Sequence, residues 1–224
     1  MNKTEYRYFD VLVALFVAVL LISNIASTKI LTIWMFTFDG GTLLFPLSYI
    51  FGDILTEVYG FRRSRRVIWL GFFSALIMSL VLFVVQILPP AGDWTNQKAY
   101  EAVLGFVPRI VAASLLAYFA GEFTNSMILS RLKILTKGRY LWTRTIGSTL
   151  IGEGFDTIIF CMVAFFGVLP ASVFKAVLIS NYIFKCAVEI IFTPLTYLIV
   201  RTLKRKENTD VYDYGVNYNP FQVN

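Results

Sequence analysis

Six separate stretches of this chain stay apolar for about 20 residues each, the length a helix needs to cross the hydrocarbon layer of a bilayer. They cover residues 8–29, 42–60, 66–88, 107–130, 144–168 and 177–200, each bounded by polar or basic residues. The expected fold class is therefore all-α: a polytopic membrane helix bundle with six transmembrane helices. With 57% hydrophobic and 15% charged residues, the chain is neither a disordered tail nor a nucleic-acid module. Six spans consume roughly 130 residues, which leaves short connections and no soluble catalytic domain, so the function is expected inside the bundle. Residues 1–206 are read as one transmembrane domain. The remainder, 207–224, is polar, rich in Asn and Tyr and lacks helical periodicity, so it is expected to be a flexible cytoplasmic tail.

Orientation follows from the placement of basic residues, which collect on the cytoplasmic side of membrane proteins. Of the 20 Lys and Arg residues, fifteen fall before span one, between spans two and three, between four and five, or after six. Only Lys29, Lys98, Arg109 and Lys175 fall on the other side, and Lys185 alone lies deep within a span. Both termini are accordingly expected in the cytoplasm, and the net charge of +6 needs no nucleic acid to explain it. Glu5 and Asp10 flank the first span and no small-residue cleavage site follows it, so it is expected to be a retained helix rather than a signal peptide.

Six acids and one lysine fall where charge is costly: Asp53 and Glu57 in span two, Glu122 in four, Glu153 and Asp156 in five, Lys185 and Glu189 in six. Left ionised and unpaired, seven such groups oppose insertion by roughly 20 kcal/mol. Counting from span midpoints, Asp156 and Glu189 fall near the midplane and Asp53, Glu153 and Lys185 within about 5 Å of it; Glu122 is about 5 Å and Glu57 about 9 Å towards the cytoplasm. Helical spacing gathers them onto faces: Tyr49, Asp53 and Glu57; Tyr118, Glu122 and Asn125; Asn181, Lys185 and Glu189. Two readings stand. Lys185 and Glu189 pair to hold helices together, or the acids converge on a polar pathway that donors from a substrate complete. One lysine cannot neutralise six acids, which favours the second reading for Asp53, Glu122, Glu153 and Asp156. The candidate binding set is Asn24, Asp53, Glu122, Asn125, Glu153, Asp156, Asn181, Lys185 and Glu189. Glu57 and Arg109 are read as gate residues or charge partners, with snorkelling to the headgroups as the alternative for Glu57. Asn24 belongs to a polar outer end of span one, where an interhelical hydrogen bond is its other reading.

Other features are structural in character. Gly147, Gly152 and Gly154 allow close helix approach in span five, Pro194 removes one backbone bond from span six, and Pro108 suits the first turn of span four. Gly52, Asp53 and Glu57 in the first half echo Gly152, Glu153 and Asp156 in the second, two short matches compatible with an inverted repeat. Span three carries little polarity and is expected to face lipid or a partner. There is no histidine, which removes His-based triads, His-ligated zinc and H-E-x-x-H proteases. Cys161 and Cys186 stand alone in apolar runs and read as core thiols. No G-x-x-x-x-G-K-S/T phosphate loop is present, so direct ATP hydrolysis is excluded. No catalytic residue, metal or cofactor is expected.

Three motifs carry a resemblance: FGDILTEVYG from Phe51 to Gly60 with the Arg62 to Arg66 cluster, AGEFTNS from Ala120 to Ser126, and TKGRYLWTRTIGSTLIGEGFDTIIF from Thr136 to Phe160. Together they resemble the queuosine precursor transporter family, from about Ser23 to Lys204. The resemblance implies a multi-pass protein of the cell inner membrane that imports 7-deazaguanine bases such as 7-cyano-7-deazaguanine, 7-aminomethyl-7-deazaguanine or queuine for tRNA modification. A guanine-like edge presents two adjacent N–H donors that one carboxylate can accept together. Glu153 or Glu122 is assigned to that edge, Asp53 and Asp156 to the polar lining and Asn24 to the outer approach. The partners expected are the small base and the bilayer, with no nucleic acid; six helices form a thin wall around a ligand, which leaves room for a homodimer. Two rivals remain: the substrate-capture subunit of an energy-coupling-factor importer for another vitamin-like molecule, and an intramembrane hydrolase working through Glu153 and Asp156.

Overall fold

Hydrocarbon offers no hydrogen-bond partner to a backbone, so long apolar runs satisfy their N–H and C=O groups internally as helices. A computed structural model, describing residues 6–26, 28–33, 36–105, 108–167 and 170–222, has a helix in each of the six apolar intervals. These are α1 (Phe9–Ala26), α2 (Phe45–Tyr59), α3 (Phe61–Ile87), α5 (Pro108–Leu135), α6 (Leu141–Phe165) and α7 (Ala171–Lys206), with a short α4 (Gln97–Leu104) between the third and fourth. Of these, α1, α3, α6 and α7 are long and apolar enough to cross a membrane. At 15 residues α2 is short, and α5 has length but carries Glu122, Thr124, Asn125 and Ser126 mid-helix. Their surroundings explain the difference: twelve of the fifteen α2 residues are buried, and α2 touches α1, α3, α5 and α7. A helix enclosed by other helices does not have to be apolar all round.

The chain is not purely helical. The link from α1 to α2 contains an antiparallel hairpin, β1 (Ile30–Ile33) and β2 (Phe36–Asp39), with Ile30 opposite Asp39, followed by a 3-10 turn at Gly40–Leu43. The segments ILTI and FTFD are built from β-branched and aromatic residues, which suit a pleated ladder. Nor is there a loop at the arginine cluster. Gly60 alone separates α2 from α3, at φ 85° and ψ 160°, and Arg62, Arg63, Arg65 and Arg66 belong to the first turns of α3. Glycine is required there, since that φ disfavours any side chain and a Cβ would meet Val211 Cγ1 at 2.7 Å.

Packing divides into two regions. On one side, Leu12, Phe16, Leu20, Ile50, Ile54 and Ile68 form a hydrophobic core between α1, α2 and α3. On the other, α5 and α6 cross closely at glycines: a Cβ on Gly121 would lie 3.2 Å from the Gly152 carbonyl oxygen, and one on Gly152 would lie 3.0 Å from that of Gly121. The outer surface is apolar, with Ile77, Leu80 and Ile87 on α3 and Ile191 and Leu198 on α7 all exposed, as a lipid-facing exterior requires. Pro194 is accommodated inside α7 without ending it.

Residues 207–222, expected to be flexible from their composition, make specific contacts with the helices. Arg65 Nη1 donates to the carbonyls of Asn217 and Asn219 at 2.9 and 2.8 Å, and Trp69 Nε1 to that of Pro220 at 2.9 Å. Asp213, 5% exposed, accepts from the Phe61 backbone N–H at 2.9 Å and from Ser130 Oγ at 2.7 Å. Phe221 packs at tilted angles against Trp69 and Phe119. A polar, Asn-rich segment signals disorder by composition, yet here its Asn217 and Asn219 carbonyls meet Arg65 and its Tyr218 ring meets Phe61. Replacing Asp213 with Ala orphans the buried Phe61 N–H, and thermal unfolding of the purified protein should show a loss of about 1–3 kcal/mol. An unchanged transition would mean the tail is not a stabilising element.

Candidate functional site

Four helices bring acidic residues into one buried volume. Asp53 comes from α2, Glu122 and Asn125 from α5, Glu153 and Asp156 from α6, and Lys185 and Glu189 from α7; all are buried, Lys185 the least at 9% exposed. Glycines make the space. A Cβ on Gly52 would stand 2.8 Å from Glu122 Oε2, and one on Gly121 2.8 Å from Asp156 Cβ, so α2 and α5 admit these side chains only because two positions lack one. Asn125 Nδ2 donates to Asp53 Oδ1 at 2.7 Å, tying α5 to α2. Lys185 Nζ reaches Asp156 Oδ2 at 2.5 Å and Glu153 Oε2 at 3.0 Å, tying α7 to α6, and lies 4.8 Å from the centre of the Phe45 ring.

The donors run out before the acceptors do. Both oxygens of Glu122, both of Glu189, Asp53 Oδ2 and Glu153 Oε1 are buried and accept no hydrogen bond from any described residue. Glu122 lies within electrostatic reach of Glu153, Asp156 and Glu189. Among the described residues, five carboxyl groups against one ammonium leave an excess for protons or the N–H groups of a ligand to meet. The arrangement suits recognition of a small, donor-rich molecule in a low-dielectric setting, where each charge-assisted hydrogen bond is strong.

The structure does not bring every expected residue to this cluster. Asn24 is half-buried and its amide donates to Leu20 O on its own helix at 2.8 Å. Asn181 is half-buried on α7, one turn before Lys185. The side chain of Arg109 lies outside the described residues. Glu57 does not snorkel. It is wholly buried in a second site, where Arg144 Nη2 approaches Oε1 at 2.8 Å, Lys204 at 2.6 Å and Lys133 at 3.6 Å. Lys133 also donates to the Glu57 and Val211 carbonyls at 2.6 and 2.7 Å. Asp210 from the tail closes this cage, 2.6 Å from Lys133 and 2.8 Å from Lys204. Partial burial acts against the charged form of Asp210, but hydrogen bonds from the two lysines outweigh it and hold the carboxyl below its ordinary range.

Three features escaped the sequence reading. Thr149 and Thr157 place buried hydroxyls without a partner among the described residues near the acids; Thr149, Glu153, Asp156 and Thr157 share one helical face, a spacing that could have disclosed the threonines. Lys133, Arg144 and Lys204 resemble topogenic loop charges in sequence, and nothing local marks them as partners of Glu57. Beneath the cluster, the hydroxyls of Thr56, Ser64 and Ser126 form a hydrogen-bonded triangle, 2.8, 3.0 and 3.1 Å on its sides, that joins α2, α3 and α5. Cys161 and Cys186 are free and buried. Among the described residues, no group of His, Cys, Asp and Glu could hold a metal ion.

Similarity to known proteins agrees with a membrane carrier. The family described as "Putative vitamin uptake transporter" matches residues 39–199. A "Probable queuosine precursor transporter" of Bacillus subtilis (strain 168) is 32% identical over 188 residues, 84% of this chain and 82% of the relative. The "Queuosine precursor transporter" of Escherichia coli (strain K12) is 27% identical, over 76% of each chain. A "Probable queuosine precursor transporter" of Haemophilus influenzae (strain ATCC 51907 / DSM 11121 / KW20 / Rd) is 27% identical over 74% of this chain and 70% of its own. No solved structure matches. These relatives are transporters rather than enzymes, and the chain belongs with them to the vitamin uptake transporter family of multi-pass membrane proteins, that of the queuosine precursor transporters.

Proposed function

We propose that this chain imports 7-deazaguanine bases, the precursors of queuosine, across the cell inner membrane. The observation that carries the substrate class is Glu122, a wholly buried carboxylate whose two oxygens accept from no described donor. A guanine-like edge offers two adjacent N–H donors, the complement of one carboxylate. Glu122 is the first candidate for that edge and Glu153 the second; Asp53, Asn125, Asp156 and Glu189 form the polar lining, with Asn24 and Asn181 on the approach. Lys185 sets the position of Glu153 and Asp156.

The proposal includes six spans, α1, α2, α3, α5, α6 and α7, with both termini in the cytoplasm. Fifteen basic residues on one side support that orientation, and the enclosure of α2 accounts for its small apolar length. Residues 1–206 serve as the carrier domain and 207–224 as a cytoplasmic strap over it. The cage around Glu57, one turn below Asp53 and about 6 Å along α2, closes the cytoplasmic end of the path. Pairing of two copies is also proposed, because six helices make a thin wall. Transport is proposed to proceed without an ATPase partner; uptake into liposomes holding only this chain separates the carrier from a substrate-capture subunit.

Binding of a panel of 7-deazaguanines to the purified protein tests the assignment. Glu122→Gln keeps the shape but replaces one acceptor with a donor, and affinity should fall about 10- to 150-fold, equivalent to about 1.5–3 kcal/mol. A 7-deaza base without its 2-amino group should lose affinity for the wild type and be nearly indifferent to Glu122→Gln. Equal losses for both bases would remove Glu122 from the base edge.

A further inference from the structure

A second recessed surface lies away from the buried acids, where the N-terminal end of α6 meets the C-terminal end of α7. It is a cavity of about 480 Å³ lined by Leu141, Arg144, Tyr197, Arg201, Lys204 and Arg205, among others, with Glu57 as its acid. Arg144 and Lys204 are engaged with Glu57, and Lys204 also with Asp210. Arg201 and Arg205 are exposed, line the same cavity and enter no ion pair among the described residues. The cavity therefore carries uncompensated positive charge at its mouth.

The surface leading to this mouth is apolar. Ile191, Leu195 and Leu198 are exposed on α7 and follow one another at helical spacing, and the same face continues to Arg201 and Arg205. From Ile191 to Arg205 the helix rises about 21 Å, matching one leaflet with its headgroup layer, about 20–22 Å. Tyr197 and Trp142, both exposed and joined by a 2.9 Å hydrogen bond from the Trp142 backbone N–H to the Tyr197 hydroxyl, stand at the level where aromatic residues mark the interface. A face one leaflet long, apolar for about 10 Å from Ile191 to Leu198 and ending in two guanidinium groups without an ion pair among the described residues, fits one kind of occupant.

We propose that this cavity binds the phosphate headgroup of an anionic phospholipid, with Arg201 and Arg205 as its ligands and the acyl chains along Ile191, Leu195 and Leu198. Guanidinium groups recognise phosphate oxygens in a bidentate manner, and the stripe distinguishes a lipid from free phosphate. The inference is independent of the transported substrate.

Native mass spectrometry of the purified chain, with phosphatidylglycerol and phosphatidylcholine added in equal amounts, reads the site directly. Phosphatidylglycerol should be retained preferentially, and the Arg201→Gln/Arg205→Gln double variant should reduce its retention about thirty-fold. The control Lys98→Gln/Lys175→Gln removes the same net charge elsewhere and should leave retention unchanged. Inorganic phosphate and glycerol phosphate, added in excess, should not displace the lipid. Equal retention of the two lipids, an equal loss in the control, a double variant that keeps its preference, or displacement by inorganic phosphate would each overturn the lipid site.

Discussion

Exchanging Lys185 for Met is expected to abolish uptake and to destabilise the bundle by about 3–5 kcal/mol. The reason is the count of charges: Lys185 is the cation that Asp156 and Glu153 share, at 2.5 and 3.0 Å, and all three are buried. Removing one member of a buried ion pair leaves the other desolvated and unmatched, which costs more than the pair itself contributes. Methionine keeps the volume, so the loss is electrostatic rather than a cavity. In the double variant Lys185→Met/Asp156→Asn the fold should recover part of its stability, because one orphaned carboxylate becomes a neutral amide, while uptake should stay absent. Thermal unfolding and uptake of a labelled base, measured side by side, give both readouts. Wild-type uptake by the single variant would make Lys185 a bystander of the transport path.

A second large effect is expected at Glu57, and here the order of severity carries the argument. Glu57→Gln leaves Arg144 without an acid among the described residues and Lys133 and Lys204 with only Asp210, whose side chain is 43% exposed, so a loss of about 3–5 kcal/mol is expected. Arg144→Gln leaves Glu57 with two lysines and should cost about 1–3 kcal/mol. Asp210→Asn, at the solvent rim, should cost about 0–1 kcal/mol. If Arg144→Gln proved the most damaging of the three, Glu57 would not be the centre of the cage. Because Glu57 also lines the basic cavity and sits one turn from Asp53, the same variants should change uptake in proportion to the loosening of that end.

The contrast between these two sites shows what a sequence discloses. Five buried carboxyl groups were recognisable because acids inside apolar helices are expensive wherever they point, and their helical phase turns them inward. Their pairings were not recognisable. Lys185 and Glu189 lie one turn apart on α7, yet Lys185 bonds to Asp156 and Glu153 on α6, since α6 packs against α7 and presents oxygens at shorter range. Arg144, Lys133 and Lys204 carried the orientation signal that basic residues carry in any membrane protein, and that role concealed their service to Glu57. The contacts of residues 207–222 were hidden for a similar reason: polarity describes what a segment can bond to, and only the folded ends of α3 and α5 show what is there to be bonded.

By itself the sequence determined that this chain enters a bilayer, roughly where its helices run, and that acids stand within them, because transfer of apolar runs and of charge is governed by local composition. The tertiary structure alone decided which carboxylate meets Lys185, which remain without a donor, how Glu57 is caged and how the tail is held. Those outcomes depend on distances of a few ångströms between residues far apart along the chain, set by where glycines let helices touch.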